Sequence, residues 1–251
     1  MNKPLLEVCV DSYASAIAAI QGGADRLELC ANLAIGGTIP SHALFRQVRR
    51  DCGVPINVLI RPRFGDFLYT PAELEEMVEE IQSFRELGAN GIVTGVLTPE
   101  GKVDAVRMAW LIDRAGEMEV TLHRAFDMTR DPFAALETAV ELGCKTILTS
   151  GQEHSAVAGK ELLRELFLRA GGRIDLMAGA GINKENILEL YNHTGIRVFH
   201  ASARRGALDS GMIYRKETVS MGLPSLSEYE IWQTSEEEVR ACAQIIKQKI
   251  S

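Results

Sequence analysis

The sequence lacks the cysteine patterns that mark a protein held together by disulfides or structural zinc. It contains five cysteines in 251 residues, which is an odd number, and no two of them have CxxC spacing. A disulfide framework or a structural zinc site is therefore not expected. Any metal site would have to be built from residues that lie far apart in the sequence.

Long hydrophobic runs and a surplus of basic residues are also missing. No apolar stretch approaches the roughly 18 residues of a membrane-spanning helix, and the charged N-terminus MNKPLLEVCVDS does not resemble a signal peptide. The formal net charge of -7 argues against non-specific binding to nucleic acid, which requires a basic surface. We therefore expect a cytoplasmic protein whose partners include neither a membrane nor a nucleic acid.

Short runs rich in Val, Ile and Leu alternate with longer helical patterns along the chain. The predicted strands are residues 5–10, 26–30, 56–61, 91–97, 119–124, 146–150, 174–179 and 198–202. The predicted helices are residues 13–22, 41–51, 71–87, 104–115, 132–142, 159–170, 184–193 and 235–249. This alternation implies a parallel sheet, because each strand returns through a crossover helix. Eight such units in about 250 residues favour a closed TIM-like (β/α)₈ barrel, an α/β fold with a single domain.

A long connection, residues 203–234, precedes the last predicted helix. Loops of this length in compact domains are usually either functional or disordered. Tyr214, Met221, Tyr229 and Trp232 can bury apolar area within this connection. We therefore predict that it forms an ordered lid or a contact between subunits.

The strands also predict which side chains face the barrel interior. Side chains alternate between the two faces of a strand, and the apolar face must pack on the surrounding helices. The side chains of the other face point inward, and they are Glu7, Cys9, Glu28, Cys30, Asn57, Arg61, Arg63, Thr121, His123, Met177, Gly179, His200 and Ser202. This inward set is unusually rich in acids, thiols, guanidinium groups and imidazoles.

Two interpretations remain open for the inward acids Glu7 and Glu28. They lie on adjacent predicted strands and could share the guanidinium of Arg61 in a structural ion network, since a buried charge needs a partner. Alternatively, they take part in the chemistry of a site. Arg61, Arg63 and His123 lie near the strand ends, where (β/α)₈ barrels build their active sites, which favours a functional role for these three.

The segment VTLHRAFD, residues 120–127, ends an apolar strand in an imidazole, a guanidinium and a carboxylate. His123 continues the inward face of the strand. Arg124 has the opposite parity and can turn over the rim or bind a neighbouring carboxylate. Asp127 could orient His123 or pair with Arg124. A carboxylate–imidazole pair can serve as a general base, or as a metal ligand with its supporting hydrogen bond.

Three loops rich in small residues follow the last three strands, with the sequences TSGQEHSA (149–156), MAGAGI (177–182) and HASAR (200–204). The loops after strands seven and eight of such barrels commonly bind phosphate through backbone N–H groups. Glycine also permits a close approach of the backbone to a ligand. We therefore expect a small carboxylate or phosphate ligand near Ser150, Gly179, Gly181, His200 and Ser202.

Nine segments together resemble the CutC family, known as copper homeostasis proteins: LLEVCVDS, GADRLELC, GGTIPS, LIRPRFGDF, GIVTGVLTPEGKVD, TLHRAFDM, ILTSGQ, MAGAGI and VFHASA. The resemblance runs from about Leu5 to the last helix and keeps the order of the family. It implies a TIM-like barrel, a cytoplasmic location, a homodimer and a role in copper handling. Some members carry two adjacent cysteines at the end of the first strand, whereas here Cys9 is followed by Val10; the cysteine of LELC, Cys30, is retained.

The first functional hypothesis is a copper-binding protein. Cu(I) prefers thiolate, thioether and imidazole ligands. Cys9 and Cys30 lie on adjacent strands with inward parity, so their sulfur atoms could approach each other. His123, His200 or Met177 could complete such a site.

The second hypothesis is an enzyme that acts on a small anionic metabolite. Arg61, Arg63 and Arg124 would bind the carboxylate or phosphate group. His123 would act as general acid or base, assisted by Glu7 or Glu28. Lyase, isomerase and hydrolase chemistry all remain open, because the fold alone does not name a reaction.

Overall fold

Eight parallel strands close into a barrel in the computed structural model, which describes residues 3–216, 218–223 and 226–250. Each strand pairs with its neighbours in chain order, and the eighth closes the barrel against the first. The strands are β1 Leu5–Val10, β2 Arg26–Leu29, β3 Ile56–Leu59, β4 Gly91–Thr94, β5 Glu119–Leu122, β6 Thr146–Thr149, β7 Asp175–Ala178 and β8 Val198–Ala201. The predicted TIM-like barrel is confirmed.

Helices connect the strands and surround the barrel. They are α1 Tyr13–Gly22, α2 His42–Asp51, α3 Pro71–Glu86, α4 Ala105–Ala115, α5 Pro132–Glu141, α6 Lys160–Ala170, α7 Ile187–Thr194 and α8 Glu236–Lys249. Side-chain caps explain several starts: Thr70 and Glu73 form a reciprocal capping box at α3, and Asp131 accepts from two backbone N–H groups at α5. None of the described helices combines the length and the apolar character needed to cross a membrane.

The two faces of the strands separate as their alternation predicts. Leu6, Val8 and Val10 of β1 belong to the large core between the strands and the helices. On the inward face, Cys9 and Cys30 pack with Leu59 and Val93 in a second, smaller cluster. A third cluster, formed by Leu148, Met177 and Val198, is also buried. The barrel interior therefore combines small apolar clusters with the polar residues of the inward face.

Residues 203–234 contain secondary structure that the sequence patterns do not predict. Strands β9 Arg204–Asp209 and β10 Glu230–Thr234 form a two-stranded antiparallel sheet. Strands this short, with few apolar residues, show no clear alternation of polar and apolar positions. Their pairing is also hard to predict, because about 20 residues separate them along the chain. Residues 217, 224 and 225 of this connection lie outside the described residues. The role of the connection as a lid or a subunit contact stays a prediction, and so does the single domain.

Candidate functional site

A cavity of about 260 Å³ lies at the carboxyl ends of the barrel strands. Its walls combine inward strand residues with the loops that follow the strands. The polar residues that line it are Cys9, Glu28, Cys30, Arg61, His123, Arg124, His200 and Ser202. Most of the residues predicted for the site from strand alternation are therefore brought together around one cavity.

The centre of the barrel holds a buried ion network around Glu7. The strand register places Glu7 beside Arg26 on β2 and beside His200 on β8. Its Oε2 accepts from Nε of Arg26 at 2.5 Å, and its Oε1 lies 2.9 Å from Nδ1 of His200. Glu7 is fully buried. The prediction of a structural ion network for this acid fits the geometry, but its partner is Arg26 and not Arg61.

Arg26 is a residue of this network that the sequence reasoning missed. It has the same strand parity as Glu28 and Cys30, and that parity alone was the signal for its inward direction. It lies at the first position of β2, where a charged residue is easily taken for a solvent-exposed strand end. Its exposure is only 7%.

The network gives the two buried acids different pKa values. Burial alone would raise the pKa of Glu7, but the charge of Arg26 and the hydrogen bond from His200 outweigh it and lower this pKa to about 2. Burial raises the pKa of Glu28 to about 7, and the attraction of His200 offsets this only in part. Burial would lower the pKa of His200, but Cys9, Glu28 and Glu7 hold that pKa well above its usual value. At neutral pH, Glu7 is therefore ionised and His200 is a cation, while Glu28 lies near its titration midpoint.

Cys9, Glu28 and His200 form a compact group of donor atoms at the cavity. One ligand atom from each of these residues lies within 4.8 Å of the other two. Nε2 of His200 faces Oε2 of Glu28 at 3.5 Å, while its Nδ1 faces Glu7. A histidine held by a carboxylate at one nitrogen and open to a ligand at the other has the arrangement found in metal sites.

Two other predicted sulfur ligands lie outside this donor group. Cys30 packs against Cys9, but its Sγ is directed at the carbonyl oxygen of Glu28 at 3.8 Å. The sulfur of Met177 contacts Nη2 of Arg26 at 3.8 Å. The grouping therefore differs from the predicted cysteine pair, because the two donors beside Cys9 are Glu28 on β2 and His200 on β8.

Arg61 and His123 occupy a different part of the cavity wall from the ion network. Arg61 donates to the carbonyl oxygens of Gly36, Gly37 and Gly65. Nδ1 of His123 accepts from the N–H of Ala125 at 3.1 Å. Burial, followed by the charge of Arg61, lowers the pKa of His123 to about 3. The imidazole is therefore neutral, which makes proton uptake by this histidine unfavourable at neutral pH.

The sequence reasoning missed Phe67, which lines the cavity, and Gly95, which lies against His123. The ring of Phe67 contacts His123, with ring centroids 4.8 Å apart. A Cβ at Gly95 would lie 2.7 Å from Nδ1 of His123, so only glycine leaves room for the imidazole. Neither residue carries a chemical group that a motif search would select, although Phe67 is the last residue of the LIRPRFGDF segment that also contains Arg61.

Asp127 pairs with Arg124, which is one of its two predicted roles. Its Oδ2 lies 2.7 Å from Nε of Arg124, and its carboxylate also accepts from Thr149 and from the backbone and side chain of Ser150. The structure gives it no contact with His123. Asp127 and Ser150 therefore hold the Arg124 side chain at the rim and are not part of the cavity wall.

Two other predicted ligand-binding residues also lie outside the cavity wall. Arg63 turns away to form ion pairs with Glu73 and Asp66. A Cβ at Gly179 would lie 2.5 Å from Cδ1 of Leu148, so this glycine serves the packing of the barrel. By contrast, Gly181 and Ser202 line the cavity as predicted.

Comparison with known proteins gives one consistent family. The model of the CutC family matches residues 4–205. A CutC family protein of Bacteroides fragilis (strain YCH46) is 48% identical over 232 residues, which cover 92% of each chain. The human protein named copper homeostasis protein cutC homolog is 44% identical over 247 residues, or 98% of this chain and 90% of that one. The crystal structure of CutC from Streptococcus agalactiae has a TM-score of 0.76 at 29% identity and covers 79% of this chain and 98% of its own.

Replacing Arg26 with Met is expected to destabilise the protein by about 3–5 kcal/mol, because the fully buried Glu7 carboxylate loses its guanidinium partner. Urea unfolding followed by circular dichroism measures this change. Arg240→Met is the matched control: Arg240 forms an exposed ion pair with Glu236 on α8, so its loss should cost less than about 1 kcal/mol. An Arg26→Met variant as stable as the parent would contradict the role of the network.

Proposed function

The chain belongs to the CutC family, and from this premise we propose that it takes part in copper homeostasis by binding a copper ion in the barrel cavity. The ligands are Cys9, Glu28 and His200. The observation that carries the proposal is the convergence of their donor atoms within 4.8 Å at the wall of a cavity.

The chemistry of these donors fits copper. Thiolate and imidazole are ligands that copper accepts in proteins, and a soft thiolate favours Cu(I). Glu7 supports the site by holding Nδ1 of His200, which orients Nε2 toward the metal. Glu28 adds an oxygen donor whose charge offsets that of the ion. Copper must displace protons from the thiol and from Nε2, so its affinity rises with pH.

Cys9→Ser is expected to weaken Cu(I) binding by at least about 10-fold, because the serine hydroxyl is a poor ligand for a soft cation. Competition with a chromophoric Cu(I) chelator measures the affinity. His200→Gln should have an effect of similar size, and Cys30→Ser a smaller one, because Cys30 lies outside the donor group.

Cys144→Ser serves as the control for loss of a buried thiol, since Cys144 lies away from the cavity and should leave the affinity unchanged. Stoichiometric Cu(I) binding that survives both Cys9→Ser and His200→Gln would exclude this site. An effect of Cys30→Ser equal to that of Cys9→Ser would favour the cysteine pair instead.

The same cavity supports a second candidate function, an enzyme that moves protons on a small phosphorylated or carboxylated metabolite. Glu28 and His200 present a carboxyl–imidazole pair, with Oε2 and Nε2 3.5 Å apart, to the cavity that Arg61 also lines. A carboxyl group beside a charged imidazole can accept and return a proton within a substrate. Arg61 supplies the positive charge for an anionic group. Lyase, isomerase and hydrolase reactions all use these elements.

For the enzyme candidate, metal-free protein in D₂O is expected to exchange a carbon-bound proton of at least one small carboxylic acid or sugar phosphate. NMR spectroscopy of a mixture of such compounds detects the deuterium that enters. Glu28→Gln should slow the exchange by roughly 10²–10⁴-fold, because the amide cannot accept the proton. Glu76→Gln, an exposed change on α3, should leave it unchanged. Exchange at the parent rate in Glu28→Gln would exclude this role.

We also propose that the protein works in the cytoplasm. Its five cysteines are all free, and one of them is a proposed copper ligand. Free thiols persist in a reducing compartment, where thiol-based copper ligands remain available. Fractionation of cells that produce the protein from its own promoter tests this location.

The predicted homodimer is likewise a proposal, and the β9–β10 sheet and its connection are the surface that supports it. Leu208 and Ile231 face each other across this sheet and are about half exposed. Met212, Ile213 and Tyr214 are still more exposed. A second copy of the chain would cover this apolar surface and remove it from water.

In solution the protein is therefore expected to have twice the 27.5 kDa mass of the chain. The double change Ile213→Asp with Ile231→Asp should shift it to the monomer, because two carboxylates would be buried without partners. Light scattering after gel filtration measures both masses. Leu168→Asp, an exposed change on α6, should leave the dimer intact. A parent protein that runs as a monomer, or a dimer that survives the double change, contradicts the proposal.

A further inference from the structure

Arg61 and His123 lie together in the cavity wall, and both contact one aromatic ring. Cζ of Arg61 is 5.0 Å from the ring centroid of Phe67, and the His123 ring is 4.8 Å from the same centroid. Both polar side chains line the cavity, and their exposures are only 8% and 5%. Neither residue is a proposed copper ligand.

Arg61 carries a charge that no acid balances within the described part of the chain. Its hydrogen-bond acceptors are the neutral carbonyl oxygens of Gly36, Gly37 and Gly65. The nearby phenol of Tyr69 does not balance it either, because burial raises the pKa of Tyr69 to about 12 and keeps it uncharged. A buried guanidinium without a counter-ion is costly, so the cavity attracts an anion.

His123 contributes a hydrogen-bond donor for which the described residues supply no acceptor. Its Nδ1 accepts from the N–H of Ala125, which places the ring proton of the neutral imidazole on Nε2. Nε2 is buried and makes no hydrogen bond to any of the described residues. A buried donor of this kind is satisfied only when a ligand or a water molecule supplies an acceptor atom.

We propose that the cavity binds a small organic carboxylate, which accepts a hydrogen bond from Nε2 of His123 and neutralises the guanidinium of Arg61. As a binding site this stands apart from the copper proposal. If the carboxylate is also the substrate of the enzyme proposed as the second candidate function, that assignment rests on the proposed function.

The charge balance of the cavity favours a carboxylate over a phosphate. His200 faces the acids Glu7 and Glu28, and Arg124 pairs with Asp127, so Arg61 is the one guanidinium of the cavity wall described here without an acidic partner nearby. A singly charged carboxylate matches it, and its planar oxygen pair suits a guanidinium. A phosphate group carries about −1.5 to −2 charges at neutral pH, which Arg61 alone does not neutralise.

The size and the walls of the cavity restrict the rest of the ligand. A volume of about 260 Å³ lies below the roughly 300–1,000 Å³ of sites that take drug-sized ligands. Leu33, Leu59, Leu148 and Ile182 also line it and provide apolar contacts. These walls fit a carboxylic acid with a short carbon chain.

The test uses metal-free, full-length protein labelled with ¹⁵N, and the probes are acetate, pyruvate and succinate. At least one of them should bind with a Kd on the order of 1 mM or lower by calorimetry. It should also shift the NMR signal of Nε2 of His123 in the unmutated protein, a measurement that needs no variant. Acetamide, the neutral analogue of acetate, should bind much more weakly.

Two variants and one control locate the ligand. Arg61→Gln and His123→Phe should each weaken binding by about 10-fold or more, because each removes a contact to a charged group. Arg63→Gln should leave it unchanged, because Arg63 pairs with Glu73 outside the cavity.

The outcomes separate this inference from the two proposed functions. Two results would contradict a carboxylate as the ligand. One is that inorganic phosphate shifts the His123 signal and the carboxylates do not. The other is that acetamide binds as well as acetate. The absence of any shift with all three carboxylates overturns the site. Neither result depends on copper binding or on proton exchange, which are measured on their own. Carboxylate binding with no exchange would retain this site and remove the enzyme.

Discussion

The carboxylate of Glu7 at the centre of the barrel is the constraint on which the rest of the site depends. It is fully buried and ionised, so it requires Arg26 on one side and His200 on the other. Because Nδ1 of His200 is taken by Glu7, its Nε2 must face Glu28 and the cavity. The position of the donor group therefore follows from Glu7 and Arg26, which do not line the cavity themselves.

The cavity is divided into two regions with different electrostatic character. Near Cys9, the positive charges of Arg26 and His200 are paired with the acids Glu7 and Glu28. Near Phe67, Arg61 offers positive charge and His123 offers a donor that has no acceptor among the described residues. A soft cation suits the first region because a thiol and an imidazole are available there as ligands, and an anion suits the second because it would partner Arg61 and His123. The copper proposal and the carboxylate proposal are therefore compatible within one cavity, since they use different residues.

Local sequence patterns predicted the barrel and the inward face of its strands. They did not predict contacts between side chains that are distant in the sequence. The inward direction of Glu7, Cys9 and His200 follows from alternation along each strand, which needs no tertiary information. The identity of the residue that pairs with Glu7 does not follow from alternation, because this pairing depends on the register between β1 and β2 and on the length of each side chain. Arg61 lies beyond the end of β3, too far along the barrel for this acid. The pairing of Asp127 with Arg124, three residues apart, was one of its two predicted roles, whereas its contacts with Thr149 and Ser150 depend on how β6 ends beside it.

The side chain of Val10, which follows Cys9, shows which positions of β1 can contribute a ligand to the cavity. Adjacent residues of a strand point to opposite faces, and Val10 is buried in the outer core between the strands and the helices. A cysteine at that position would face the helices as long as β1 keeps its regular geometry, so it could not join Cys9 in the cavity. Donors that converge inside a barrel must come from neighbouring strands at the same level, as Glu28 and His200 do. The loss of an adjacent cysteine pair therefore leaves the proposed copper site of this chain intact.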